Sequence, residues 1–147
     1  MNVMKVGIAS DHAGFELKEK LKAAIAELGY MLVDFGTNSE ASVDYPDYAH
    51  ALAKSVDNQD VNLGIALCGT GNGMAMALNK HQHIRAGLAW EVEVASLIRR
   101  HNNANVCVLP ARFVSEEEAK NIVKAYLTTN FEGGRHQSRI DKIPVSC

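Results

Sequence analysis

The chain alternates between short, almost wholly apolar runs and longer stretches in which apolar residues recur every three or four positions. Residues 3–9, "VMKVGIA", read as a buried strand, after which Leu17, Leu21, Ala24, Ile25 and Leu28 share one helical face until Gly29 ends the run. A second strand follows at 31–35, "MLVDF". Pro46 suits the first turn of a helix whose apolar face is Ala49, Leu52, Ala53 and Val56. The third strand, "VNLGIALC" at 61–68, runs straight into a glycine-rich turn and a short helix of alanine and methionine. A fourth, "IRAGLA" at 84–89, precedes a helix with Val94, Leu97, Ile98 and His101 on its apolar stripe. The fifth is "NVCVL" at 105–109, and Ser115 with Glu118 forms a capping box ahead of Ala119, Ile122, Val123, Tyr126 and Leu127. Strand and helix alternate five times. That predicts a parallel sheet covered on both faces, a three-layer α/β/α Rossmann-like sandwich. Beyond residue 127 no period continues, so "TTNFEGGRHQSRIDKIPVSC" is expected to be an extended tail.

Composition narrows the classes. A chain of 147 residues is expected to be one domain over 1–147, burying roughly 70% of the surface its unfolded form exposes. A formal charge of −2 argues against a broad electrostatic grip on nucleic acid or anionic membrane. No apolar run approaches the ~20 residues of a membrane span, and no basic-then-apolar leader opens the chain, so a cytoplasmic location is expected. Cys68, Cys107 and Cys147 are an odd count without framework spacing, which predicts reduced thiols.

Ligands of such sheets sit beyond the carboxyl ends of the strands, where the strand order reverses. Two strand ends are chemically loaded: Ser10-Asp11-His12 after the first, and Cys68-Gly69-Thr70-Gly71-Asn72-Gly73 after the third. Neighbouring strands would turn both loops into one crevice. The glycine loop has neither dinucleotide spacing, since position 74 is Met, nor a Gly-Lys-Ser/Thr phosphate motif. It reads either as a packing turn or as a set of free amides for an oxyanion or phosphate. Cys68 is either one more buried thiol, as Cys107 is expected to be, or a base. Leading into a helix start favours the thiolate, and residues 69–79 hold no carboxylate to compete for the role.

The remaining candidates divide in the same way. His101 either complements a helix dipole or acts beside Asn102 and Asn103, and Asp11-His12 either caps the first helix or touches a ligand. His81 and His83 lie in a polar turn with no third metal ligand near in sequence, and read as solvated. Arg135 and Arg139, four apart, are solvated tail charges or an anion clamp.

With these residues assembled, the chain resembles the ribose-5-phosphate isomerase B family, which includes galactose-6-phosphate isomerase subunits. The resemblance rests on "SDHAGFELK" (10–18), "DFGTNSEASVDYPDYA" (34–49), "CGTGNGM" (68–74), "NKHQHIRAGL" (79–88), "RRHNNANVCVLPAR" (99–112) and "FEGGRHQSR" (131–139). It implies an aldose–ketose isomerase, free of metal and cofactor, that interconverts ribose 5-phosphate and ribulose 5-phosphate through a cis-enediol in the pentose phosphate pathway. By analogy Cys68 is the base, and the amides of Gly69, Thr70, Gly71, Asn72 and Gly73 cradle the enediolate. Thr70 shuttles protons, His101 opens the furanose ring, and Asp11 and Asn102 hold hydroxyls. His12, Arg112, Arg135 and Arg139 match phosphate-holding positions. The resemblance also implies a sugar phosphate as the small-molecule partner, no nucleic acid or membrane partner, and a site shared between the chains of a homodimer or of a tetramer of two dimers. The tail, 128–147, is expected at that interface.

Two departures from the family pattern stand out. Asn72 replaces an aliphatic residue common in the family, and Met74 to Leu78 lack the glutamate that some members use as base. Rival readings are an isomerase of allose 6-phosphate or galactose 6-phosphate, a non-catalytic sugar-phosphate sensor, and a stress-type nucleotide-binding domain. A sensor needs neither Cys68 nor His101, and the glycine spacing disfavours a nucleotide.

Overall fold

Five parallel strands form the centre of the computed structural model, which describes residues 3–145. They are β1 (Lys5–Ser10), β2 (Met31–Asp34), β3 (Leu63–Cys68), β4 (Ala86–Leu88) and β5 (Val106–Pro110), in the order β2-β1-β3-β5-β4. The helices are α1 (Phe15–Glu27), α2 (Tyr45–Asp57), α3 (Asn72–Leu78), α4 (Val92–Arg100), α5 (Glu116–Thr128) and α6 (Arg135–Ile140). Cys147 falls outside the described residues.

The period-2 alternation of the strands sorts their side chains into two cores. Val6, Ile8, Ile65, Leu67, Cys107 and Leu109 point to the layer of α1, α4 and α5. Ala9, Ala66, Cys68, Val106 and Val108 point to the layer of α2 and α3. The helices following the adjacent strands β1 and β3 therefore leave on opposite faces. The strand order reverses there, and a crevice opens at the carboxyl ends.

The second face is built from small residues. Gly7 and Gly64 are register partners on β1 and β3, and Leu52 of α2 fills the space above both. A Cβ at Gly7 would lie 2.7 Å from Leu52 Cδ1 and 2.9 Å from Phe35 Cε2. Gly7→Val is therefore expected to destabilise the protein by about 1–3 kcal/mol through overpacking, measured as a lower urea midpoint at unchanged slope. An unchanged midpoint would mean that α2 does not depend on this notch.

Predicted caps are present where the sequence places them. Ser115 Oγ accepts from Glu118 N at 3.1 Å while Glu118 Oε1 accepts from Ser115 N at 3.0 Å, and Pro46 lies in the first turn of α2. The tail departs from expectation. Gly133 and Gly134, with φ of +72° and +58°, reverse the chain into α6, which the missing period did not predict. Glu132 N donates to Arg100 O at 3.1 Å, satisfying a free carbonyl at the end of α4, and His136 and Ile140 are buried beneath the turn. Six residues are too few to show a helical period, and the tertiary contacts order them.

Candidate active site

The loop leaving β1 is held from three sides. Asp11 is buried, its Oδ1 accepts from Gly14 N at 3.1 Å, and its own N–H donates to Leu67 O of β3 at 3.3 Å. The capping reading of Asp11 is thus realised, on a 3₁₀ turn at His12–Gly14 that leads into α1. Val43 N donates to His12 Nδ1 at 3.2 Å, so the neutral ring carries its proton on Nε2 as a free donor. The loop after β2 supplies the third side, with Ser10 N donating to Gly36 O at 2.8 Å and Thr37 N to Ser10 O at 2.9 Å.

A charge network absent from the sequence reading backs that loop. Lys18, on the buried side of α1, is fully enclosed, and its Nζ donates to Asp34 Oδ1 at 2.9 Å and Oδ2 at 2.7 Å. Asp34 Oδ1 also accepts from Gly36 N at 2.8 Å. Burial pushes the Asp34 carboxyl up, but hydrogen bonds from Lys18, Lys22 and Gly36 outweigh it and hold it below the ordinary carboxylate range. A helical period that leaves a lysine on the buried face was the available signal.

Cys68 ends β3 with its side chain on the α2/α3 face, 5% exposed. Past it the chain turns at Gly71, whose φ of +80° suits only a residue without a Cβ, and enters α3. Thr70 Oγ1 accepts from Asn72 N at 3.2 Å, leaving its O–H free to donate outward. The Asn72 side chain is exposed. The loop is lined closely: Arg112 lies against Gly69 and the Tyr45 ring against Gly73, each where a Cβ would intrude. Ala111 N and Arg112 N donate to Cys68 O and Gly69 O at 2.9 and 3.0 Å, joining the β5 exit to the loop. Asp11, His12, Cys68, the glycine loop and Arg112 thus share the carboxyl end of the sheet. Cys107 is buried in the core, where burial pushes its thiol far above the ordinary range.

His101, Asn102, Arg135 and Arg139 are not there. His101 caps the carboxyl end of α4, on the side where β5 begins; Gly64 N donates to Asn105 O, four residues before Cys68 along β3. Counted along β3, Gly64 lies roughly 13 Å from Cys68, so this cluster stands toward the amino end of the strands, opposite the thiol. A cavity of about 370 Å³ opens here, lined by His101, Asn102, Arg135, His136 and Arg139 among others. The His101 ring stacks on that of His136, centroids 4.4 Å apart and 16° from parallel. His136 was missed in the sequence because nothing marked the tail as ordered. The chain therefore carries two separate clusters, one with the thiol and the glycine loop, the other with imidazoles and guanidinium groups. Among the described residues, His81 is half-buried rather than solvated: it pairs with His50, Nε2 to Nδ1 at 2.7 Å, and lines a neighbouring cavity that also touches Asn102. No helix there is long and apolar enough to cross a membrane.

The architecture and these residues have counterparts in known proteins. The family model described as Ribose/Galactose Isomerase matches residues 6–143. The ribose-5-phosphate isomerase B of Escherichia coli K12 is 43% identical over 139 residues, covering 95% of this chain and 93% of that protein. A ribose 5-phosphate isomerase structure from Thermotoga maritima superposes with a TM-score of 0.95 at 50% identity, covering 97% and 99% of the two chains. A Mycoplasma genitalium ribose-5-phosphate isomerase B, solved with bound ribulose-5-phosphate, gives 0.90 at 46% identity over 95% and 93%. A match of this length, fold and identity leaves one assignment, and the chain belongs to the ribose/galactose isomerase family.

Proposed function

We propose that this isomerase interconverts ribose 5-phosphate and ribulose 5-phosphate in the pentose phosphate pathway of the cytoplasm. One observation carries the reading: a lone thiol at the strand-order reversal, bordered by a turn of backbone amides and without a carboxylate in the loop. The thiolate of Cys68 takes the C2 proton of the open-chain aldose. The electron pair moves to the carbonyl oxygen, and the amides of residues 69–73 stabilise the resulting cis-enediolate. One such donor can be worth about 2.7–4 kcal/mol in the transition state. Thr70, its O–H free, passes a proton between O1 and O2, and the thiol returns its proton to C1.

The second half-site supplies what the first lacks. His101 opens the furanose ring, Asn102 and Asp11 hold hydroxyls, and Arg135 and Arg139 with Arg112 and His12 hold the phosphate. The non-reacting phosphate then fixes C1 and C2 beside the thiol. Because the halves occupy opposite ends of one sheet, we assign a complete site to two chains, with the tail of one protomer reaching the thiol loop of its partner in a homodimer. Dimers that pair into tetramers would keep that site intact.

A coupled assay of the purified protein with ribose 5-phosphate, allose 6-phosphate and galactose 6-phosphate tests the substrate. The highest kcat/KM is expected for ribose 5-phosphate. Turnover confined to a six-carbon substrate would overturn the assignment, and turnover of none would leave only a binding module.

A further inference from the structure

The half-site around α6 contains a ligand set that neither base chemistry nor phosphate binding uses in full. His101, Glu132 and His136 each offer one ligand atom, and these atoms all lie within 4.8 Å of one another. His136 Nε2 is 3.4 Å from Glu132 Oε2, and the His136 side chain is only 10% exposed. In a tetrahedral zinc site with bonds of 2.0–2.2 Å, neighbouring ligand atoms stand about 3.3 Å apart. The His136–Glu132 edge already has that spacing. The edges to His101, none longer than 4.8 Å, need to close by at most about 1.5 Å, a movement assigned to rotation of the His101 ring out of its stack.

We propose that His101, Glu132 and His136 form a site for Zn²⁺ that is inhibitory and has no part in catalysis. Two imidazoles and one carboxylate suit a borderline-soft cation, whereas Mg²⁺ and Ca²⁺ require six or more oxygens. Three protein ligands leave the fourth position open toward the cavity, where water or a phosphate oxygen completes the shell. The surrounding charge sets the strength. Glu132 is the one anion of the set, Arg100 Nη1 lies 3.9 Å from it, and Arg135 and Arg139 line the same cavity. These cations oppose a further positive charge, which weakens the site relative to one with anionic surroundings and suits a reversible inhibitor rather than a permanent cofactor. Anionic sugar phosphate and Zn²⁺ then compete for His101.

The test uses the full-length protein and Zn²⁺ itself, titrated against a chromogenic chelator, with Mg²⁺ as control. One Zn²⁺ per chain is expected, with no Mg²⁺ uptake. Glu132→Gln, which removes the charge and keeps the shape of a side chain outside the proposed reaction, should weaken Zn²⁺ at least tenfold. His136→Asn should do the same, and Cys68→Ser should change nothing. Histidine side-chain NMR on the unmodified protein gives an answer that no variant's folding can obscure: Zn²⁺ should shift two imidazoles and spare the His50–His81 pair. Equal affinity in wild type and Glu132→Gln, loss in Cys68→Ser instead, or shifts confined to His50 and His81 would each overturn the site.

Added Zn²⁺ should inhibit the wild-type enzyme, chelation should restore it, and Glu132→Gln should resist. Only this last consequence rests on the isomerase reading. Intact binding without inhibition would therefore overturn the inhibitory role, and would count against His101 as a catalytic group while leaving the ligand set itself in place.

Discussion

Cys68→Ser protein is expected to bind ribose 5-phosphate nearly as the parent does and to turn it over about 10²–10⁴-fold more slowly. The amides, Thr70 and the arginines remain in place, so ground-state binding keeps its contacts. What disappears is the one side chain in the loop proposed to act as the base. A loss of that size is about 3–5 kcal/mol of barrier. The hydroxyl is nearly isosteric but far too weak an acid to take the role over. Single-turnover rates and binding isotherms measured together separate the two effects. Iodoacetamide should inactivate the parent enzyme slowly, because only 5% of Cys68 is exposed, and a bound sugar phosphate should protect it. Near-parental turnover of Cys68→Ser would remove the thiol from the mechanism and direct attention to Asp11.

Activity is also expected to return when two inactive chains are combined. Cys68→Ala and His101→Ala proteins should each be nearly inert alone, since each lacks one half-site in every copy. Unfolded together and refolded in equal amounts, half of the dimers are mixed, and each mixed dimer holds one intact and one doubly defective site. Roughly a quarter of parental activity should appear, by the counting that a two-fold symmetric interface imposes. The recovered fraction distinguishes the arrangements sharply. No recovery in verified mixed dimers would place both residues in a site of one chain, which the opposite ends of β3 and β5 make hard to build.

The layered sheet was legible because buried parallel strands and amphipathic helices write their periods directly into the chain. All five strands and the first five helices lie where those periods placed them. The glycine turn and the place of Cys68 at the end of β3 were legible for a different reason: three glycines within five residues mark a tight turn directly after a buried strand. What escaped was tertiary. Lys18 falls on a helix face that hydropathy assigns to the core, and only the position of Asp34 on β2 explains why a charge is tolerated there. The helix α6 is too short to show a period, and His136 gains meaning only when the Gly133-Gly134 turn lays it under His101. The metal-ligand set fails any scan by spacing for the same reason, since His101 and Glu132 are 31 residues apart in sequence.

The notch formed by Gly7, Gly64 and Leu52 ties three positions to one shared volume. A methyl group gained at Gly64 would stand 3.2 Å from both Leu52 methyl carbons, and one at Gly7 closer still. None of the three can drift in size alone. Alanine at Gly7 requires both Leu52 and Phe35 to give way and alanine at Gly64 requires Leu52 and Val106 to shift, whereas Leu52→Ala alone opens a cavity costing about 2–5 kcal/mol. The accessible path runs through paired changes, so the inner face beneath α2 should evolve more slowly than its burial alone would suggest.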